Sequence, residues 1–113
     1  MLQDEEIEWL VASAFVFIQY NKPLKAISLL EWVLEERPQI FDAAKNLVMA
    51  YYQADQLDRS EKLCDQLLRA LDPEDPDHHY LNVLKSLIAS RKQEMSVARK
   101  LFFKFIDFRG LKQ

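Results

Sequence analysis

A short pattern of small and apolar residues recurs along this chain about every 34 residues. Residues 25–30 read Lys-Ala-Ile-Ser-Leu-Leu, and residues 59–64 read Arg-Ser-Glu-Lys-Leu-Cys. A third copy at residues 97–102 reads Val-Ala-Arg-Lys-Leu-Phe, with its small residue Ala98 lying 38 positions after Ser60. A period of this size indicates stacked helix pairs, which build binding surfaces rather than enclosed active sites.

The composition points to helices in a single domain. Half of the 113 residues are hydrophobic, which allows a real core, and one glycine cannot supply the tight turns of an all-β fold. We predict an all-α fold, a right-handed solenoid of three helix pairs in one domain spanning residues 1–113. The three repeats are expected at about residues 5–38, 39–73 and 77–110.

Six helices are predicted from the apolar spacing and from helix start and stop signals. Asp4 is a candidate N-cap, Pro23 suits the first position of a helix, and Gly110 is a natural end. The predicted helices span residues 5–20, 23–37, 40–54, 57–71, 77–90 and 94–108. The loop at residues 72–77 holds two prolines and accounts for the longer third period.

Charge is distributed unevenly along the chain, although the net charge of −3 does not favour nucleic acid as a partner. The start is acidic and the end is basic, which we interpret as helix-dipole matching. The acidic residues are Asp4, Glu5, Glu6 and Glu8, and the basic ones are Arg99, Lys100, Lys104, Arg109 and Lys112.

The single cysteine and the N-terminal segment bear on localisation. Cys64 cannot form an internal disulfide, which favours a reducing compartment, and its place in the repeat predicts a buried apolar residue. The acidic start does not resemble a signal peptide, and the apolar run at residues 9–18 is too short to span a bilayer. We therefore expect a cytosolic protein without membrane insertion.

No pattern in the chain indicates catalysis, a cofactor or a metal. His78 and His79 are adjacent and lack further ligands at metal spacing, and the acids of the 72–77 loop do not match a calcium loop. Phosphate-binding glycines, a nucleophile elbow and paired catalytic carboxylates are not found. We expect a protein that is not an enzyme.

The repeat resembles the tetratricopeptide repeat, whose pattern combines small, aromatic and closing proline positions over a helix pair. The first copy reads Leu10, Ser13, Ala14, Phe17, Ala26, Leu30 and Pro38. The second reads Ala44, Leu47, Val48, Tyr51, Ser60 and Cys64, with Pro73 one residue late. The third is eroded, with Asn82, Lys85, Ser86 and Ala89 on its first helix and Gly110 in place of proline.

The first helices of such a stack line a concave face, and the residues projected onto it here are mostly apolar. An apolar groove rimmed with Lys and Gln suits the apolar face of an amphipathic helix. The predicted groove residues are Val11, Phe15, Ile18, Lys45, Met49, Tyr52, Gln53, Tyr80, Val83 and Leu87.

The last predicted helix carries apolar residues that point in nearly every direction, and exposed patches of this kind mark partner sites. We predict a second partner surface there, next to Leu101. Its residues are Phe102, Phe103, Phe105, Ile106 and Phe108. Tighter self-packing, or a homodimer of the protein when alone, is the alternative explanation for both apolar surfaces.

A small acidic chain made entirely of three degenerate repeats resembles the chaperones of bacterial type III secretion. One class clasps the C-terminal amphipathic helix of the needle subunit and pairs with a small helical co-chaperone. Another class holds a small early substrate and docks at the export gate. The resemblance implies a cytosolic chaperone that caps a small secreted helical protein and prevents its premature assembly.

Two other functions stay open. A generic scaffold could bind an extended peptide or a C-terminal carboxylate through Lys45, Asn46 and Arg91. A homo-oligomeric adaptor with a structural role could hide both apolar surfaces against copies of itself.

Overall fold

The computed structural model of the chain describes the backbone of residues 1–111 and the side chains of residues 1–107. Within that part, five α-helices follow one another along the chain. They are α1 (Asp4–Gln19), α2 (Pro23–Glu36), α3 (Phe41–Gln53), α4 (Leu57–Ala70) and α5 (Pro76–Leu111). Each helix packs against the next, and α3 also packs against α1 and α5. The prediction of an all-α stack of helices is confirmed.

The predicted number of six helices is wrong. Two pairs, α1 with α2 and α3 with α4, form close to the predicted boundaries. The third pair, predicted as helices 77–90 and 94–108, is instead the single 36-residue helix α5, which continues through Gly110. A helix of this length spans about 54 Å. The molecule is accordingly elongated, with extents of 62 × 31 × 22 Å.

The turns within the first two pairs show why those helices end. Asn21 and Asp55 both adopt a left-handed backbone conformation, with φ of 56° and 58°. After α1, the N–H groups of Lys22 and Asn21 donate to carbonyls of the last helical turn at 2.8 and 3.1 Å. The equivalent groups of Gln56 and Asp55 do the same after α3 at 2.9 and 3.1 Å. Both turns are Schellman motifs, which close a helix by satisfying its last carbonyls.

The turn predicted between residues 90 and 94 does not form, because this segment has no residue suited to left-handed backbone. Asn21 and Asp55 each lie five positions before the small residue of their repeat, and the equivalent position of the third repeat is Gln93. Asn and Asp are enriched in left-handed backbone, whereas Gln is a good helix former. Residues 89–96 contain no Gly, Pro, Asn or Asp. The helix α5 therefore continues where a turn was predicted.

The buried side chains form two clusters that meet at α3. The first cluster joins α1, α2 and α3 and includes Leu10, Leu30 and Leu47. The second joins α3, α4 and the first half of α5 and includes Val48 and Leu84. Each helix therefore buries one face against its neighbours, as in a stack of repeats.

Small residues lie where the paired helices approach closely. Ala26 and Ser60 are fully buried, and the Ser60 hydroxyl donates a 2.8 Å hydrogen bond to the carbonyl oxygen of Val48 across α3 and α4. Cys64 is buried as predicted. Its sulfur lies 3.3 Å from the carbonyl oxygen of Leu81 on α5, and burial raises the pKa of the thiol to about 11.

The segment before α1 is held against the end of α2, which the sequence did not predict. Leu2 is buried, and its N–H donates to the Glu36 carboxylate at 2.6 Å. Arg37 donates to the carbonyl oxygen of Leu2 at 3.1 Å and to the carboxylate of Asp4 at 2.7 Å. At the start of α1, Glu6 accepts from the N–H of Gln3 at 2.9 Å, so the helix begins one residue before its predicted start. These bonds fix the position of α1 relative to α2.

The second half of α5 extends beyond the packed body. Arg91 lies 3.1 Å from Asp55, and Lys92 lies 2.9 Å from Asp58, so both join α5 to the second helix pair. Among the described side chains of α5, Met95 is the last that packs against a core cluster. Every side chain from 96 to 107 is exposed.

Candidate partner-binding groove

The concave side of the stack is formed by α1, α3 and the first half of α5. A groove of about 780 Å³ lies between α1 and α3, with Val11 and Phe15 on one wall and Lys45 on the other. A smaller concavity of about 260 Å³ continues from it towards Tyr80 on α5. Phe15 and Asn46 line both, so the two form one continuous surface.

Most residues predicted for the groove lie along this surface. The predicted residues that line one of the two concavities are Val11, Phe15, Ile18, Lys45, Met49, Gln53 and Tyr80. Phe15 is 49% exposed and Tyr80 is 39% exposed, so both rings offer area to a partner. Where α1, α3 and α5 meet, the lining is mixed, with these two rings and Met49 beside Gln19, Asn46 and Gln53.

Four of the residues predicted for the groove offer little surface to it or lie outside its two concavities. Ile18 is buried in the first cluster and presents little surface. Tyr52 is partly buried and packs against the second cluster, so its ring is less available to a partner. Val83 and Leu87 are exposed on α5 but line neither concavity.

The polar groups of the groove are largely engaged within the protein. The Lys45 ammonium lies 3.3 Å from Asp77 and 5.7 Å from the centre of the Tyr80 ring. Burial raises the pKa of Tyr80, so its hydroxyl stays neutral. Gln53 donates to the carbonyl oxygen of Ile18 at 3.1 Å. Of its two polar atoms, Oε1 is buried and has no hydrogen-bond partner among the described residues.

An acidic rim surrounds one end of the groove. Asp4, Glu8 and Asp42 line the end formed by the start of α1 and α3. Arg37 lies beside them and pairs with Asp4 at 2.7 Å. A partner helix with basic residues at its polar edge would complement this end.

The predicted second partner surface lies on the extended half of α5. Phe102, Phe103, Phe105 and Ile106 are 47–59% exposed, and the rings of Phe102 and Phe103 meet edge to face at 5.9 Å. The side chain of Phe108 lies outside the described residues. At about 100° per residue, Ala98, Leu101, Phe102 and Ile106 share one half of the helix, with Phe103 on the other half.

Two exposed apolar residues at the start of the stack were missed by the sequence prediction. Trp9 and Val16 of α1 are 69% and 48% exposed, and Val16 lines the wall of the larger concavity. Their counterparts 34 positions later, Ala43 and Ala50, are fully buried. Comparing equivalent positions of the repeat would have revealed them, because Trp9 and Val16 are large where their counterparts are alanines.

The described residues hold no group of three or more His, Cys, Asp or Glu placed to bind a metal. The ring of His78 lies 3.1 Å from the Asn82 amide, one turn along α5. Among the described helices, none is both long enough and apolar enough to cross a membrane.

Comparison with known families gives one match. The family profile described as Tetratricopeptide repeat matches residues 17–87, which is more than half of the chain. The match begins near the end of α1 and ends in the first half of α5, so it covers α2, α3 and α4 in full and only part of α1 and α5. No curated protein and no solved structure matches the chain.

Proposed function

Because this chain belongs to the tetratricopeptide repeat family, whose members act by binding other proteins, we propose that it holds an amphipathic helix of a protein partner in its concave groove. The observation that carries this proposal is a pair of exposed aromatic rings, Phe15 and Tyr80, that line the same concavity. Aromatic side chains in such positions are the usual anchors of protein interfaces.

The dimensions of the groove suit a helix of a few turns. Along α1 its wall extends from Asp4 to Val16, a rise of about 18 Å, which corresponds to roughly three helical turns. A helix with apolar residues at every third or fourth position would place them on Val11, Phe15 and Met49. Its basic residues would then face the rim formed by Asp4, Glu8 and Asp42.

In its finer form, the proposal is a cytosolic chaperone of a bacterial type III secretion system. The partner is then a small secreted subunit that polymerises through the helix held in the groove. Binding the monomer and not the polymer shifts the assembly equilibrium by mass action, so no chemical step is needed. The resemblance of the chain to small chaperones of this kind supports the proposal, with a helical co-chaperone or the export gate as a second partner.

The alternative of a groove that binds a peptide carboxylate is less well supported. Lys45 is already paired with Asp77 at 3.3 Å, and Arg91 with Asp55 at 3.1 Å. Using either cation for a ligand would require breaking an existing ion pair. Apolar burial is the better source of affinity at this site.

Co-purification with the products of neighbouring genes tests the proposal. We expect a small helical protein to co-purify with the wild type and to be lost with Phe15→Asp or Tyr80→Asp. Both side chains are partly exposed, so these variants should fold, whereas the packed Tyr52 is unsuitable for such a test. Tyr20→Asp, at a ring that is 71% exposed outside the groove, is the matched control.

The same assay separates the competing functions. Lys45→Glu should leave binding largely intact if an apolar helix is held and abolish it if a carboxylate is held. Retention of the partner by both Phe15→Asp and Tyr80→Asp would contradict the proposal. A partner that is not encoded beside secretion genes would reject the finer form and leave helix binding standing.

A further inference from the structure

The second half of α5 carries the residue pattern of a second helix of a repeat, but none of the described residues covers it. On α2 the positions Ala26, Leu29, Leu30 and Leu34 are buried or half-buried, and so are Ser60, Leu63, Cys64 and Leu68 on α4. The equivalent positions on α5 are Ala98, Leu101, Phe102 and Ile106, and all four are exposed. We call these four residues the C-terminal face.

The chain cannot cover this face by folding α5 back on itself. A second helix packs on the first helix of its own pair, through positions held by Ala44, Leu47 and Val48 in the second repeat. In the third repeat those positions are Asn82, Lys85 and Ser86. Lys85 is paired with Asp65 at 2.7 Å. Folding back would bury these polar groups against Leu101 and Phe102, which is unfavourable.

At the other end of the stack, the described residues leave the complementary surface exposed. Leu81, Leu84 and Ile88 of α5 are buried against the preceding second helix, α4, where the Cys64 sulfur reaches the Leu81 carbonyl. The equivalent positions on α1 are Trp9, Ala12 and Val16, and all three are exposed. We call them the N-terminal face. It is the surface on which a preceding second helix would pack.

We propose that the C-terminal face of one copy packs on the N-terminal face of a second copy, so that the repeat stack continues from one molecule into the next. Each end of the stack is then covered by the opposite end of another copy of the protein. Both faces are apolar, and each occupies repeat positions that are buried inside the stack. The contact is heterologous, because the two copies use different surfaces.

The charges around the two faces are complementary in the orientation that the stack requires. Consecutive helices of the stack run antiparallel, so the start of α1 would lie beside the end of α5. Glu5 and Glu8 lie at the start of the N-terminal face, and Lys104 lies near the end of the C-terminal face, so these charges would come close together. The same chain already uses such pairs between α4 and α5, where Lys92 lies 3.3 Å from Glu61.

This contact is distinct from the proposed groove function. Ala12 and Val16 also line the wall of the groove, but Trp9 does not, and the extended half of α5 lies outside both concavities. A variant at Trp9 therefore tests self-association, whereas a variant at Phe15 tests helix binding. Failure of one proposal leaves the other open.

Sedimentation velocity of the full chain over a range of concentrations tests the contact. We expect the wild type to associate as its concentration rises, and we expect Trp9→Glu and Phe102→Asp each to lower the association at least tenfold. Trp32→Glu is the matched control, because Trp32 is an exposed tryptophan on α2 that belongs to neither face. A wild type that stays monomeric throughout, or a loss of association in Trp32→Glu equal to that in Trp9→Glu, would overturn the proposal.

Mixing the two variants distinguishes this contact from a symmetric one. The Trp9→Glu variant keeps its C-terminal face, and the Phe102→Asp variant keeps its N-terminal face. Their mixture should form a 1:1 complex that grows no further, although neither variant associates alone. If the mixture stays monomeric while the wild type associates, the faces do not bind each other and the proposal is wrong. Circular dichroism of each variant shows that it remains helical.

Discussion

Asn21 and Asp55 lie 34 residues apart and end their helices in the same left-handed backbone conformation, with φ of 56° and 58°. The repeat therefore extends to the backbone of the turns and is not confined to the apolar positions. Each residue is part of a Schellman motif, whose hydrogen bonds satisfy the last carbonyl groups of the helix.

Replacing Asn21 with alanine should lower the free energy of unfolding by about 1 kcal/mol, because a Cβ without a local hydrogen-bonding group disfavours left-handed backbone. Asn21→Gly should stay within about 0.5 kcal/mol of the wild type, since glycine adopts this conformation freely. Urea unfolding measures both changes. Asn82→Ala, an exposed asparagine within α5, should have little effect, and equal losses at the two positions would contradict this explanation.

Enlarging the small residue of the repeat should affect stability differently in the first and third repeats. Ala26→Leu should destabilise the protein by about 1–3 kcal/mol, because Ala26 is fully buried between packed helices. Ala98→Leu should have almost no effect on unfolding, because Ala98 is exposed on α5. Thermal unfolding of the two variants provides the comparison. A large loss in Ala98→Leu at a concentration where the protein is monomeric would mean that the sixth helix predicted from the sequence does form and pack.

Amide hydrogen exchange should be slow in the first half of α5 and fast in the second, with the change near Met95. The amides of the first half should exchange slowly, because Leu81, Leu84 and Ile88 bind this part of the helix to the second core cluster. The amides at 98–107 should exchange much faster, through local fraying of an unsupported helix. The measurement is best made at low protein concentration. Equal protection along the whole of α5 would show that its second half is covered.

Tyr51 should make the stability of the protein fall at high pH. Burial, and then its 2.7 Å hydrogen bond to Glu31, raise its pKa from 10.0 to about 12. The unfolded chain loses this proton above pH 10 while the folded chain keeps it, so stability falls between pH 10 and 12 by roughly 2–3 kcal/mol.

Comparison with Tyr51→Phe isolates this effect. At neutral pH the variant should be about 1 kcal/mol less stable than the wild type, because it lacks the hydrogen bond. This difference should shrink above pH 10, reach zero near pH 11 and reverse, so that the variant is about 1–2 kcal/mol more stable than the wild type at pH 12, as measured by urea unfolding at each pH. Tyr20→Phe, which alters an exposed ring, should show the same dependence of stability on pH as the wild type. A difference that stays constant from pH 9 to pH 12 would show that Tyr51 titrates normally.

Local signals in the sequence predicted the first four helices well. Pro23 lies at the start of α2 as predicted, and the helix ends before Pro38. The buried positions of the repeat, including Cys64, also follow from spacing alone. These features depend on backbone chemistry and on apolar periodicity, both of which are present in the linear chain.

The groove and the end of the chain were harder to predict. Projection onto helices placed Val11 and Phe15 on the concave surface but did not reveal that Tyr52 packs into the second cluster. It also predicted a turn near Gln93 because the apolar pattern continued past it. The pattern shows where a second helix could pack, whereas the presence of a turn depends on residues that end a helix.

The stack of helix pairs follows from the sequence alone, because the recurring small and apolar positions are those that paired helices bury where they cross. The number of pairs became clear only from the folded chain. Without a turn residue at Gln93, and with polar Asn82 and Ser86 on the first helix of the third repeat, α5 continues as one helix. Its second half therefore leaves the apolar residues Leu101 and Phe102 exposed at the end of the stack.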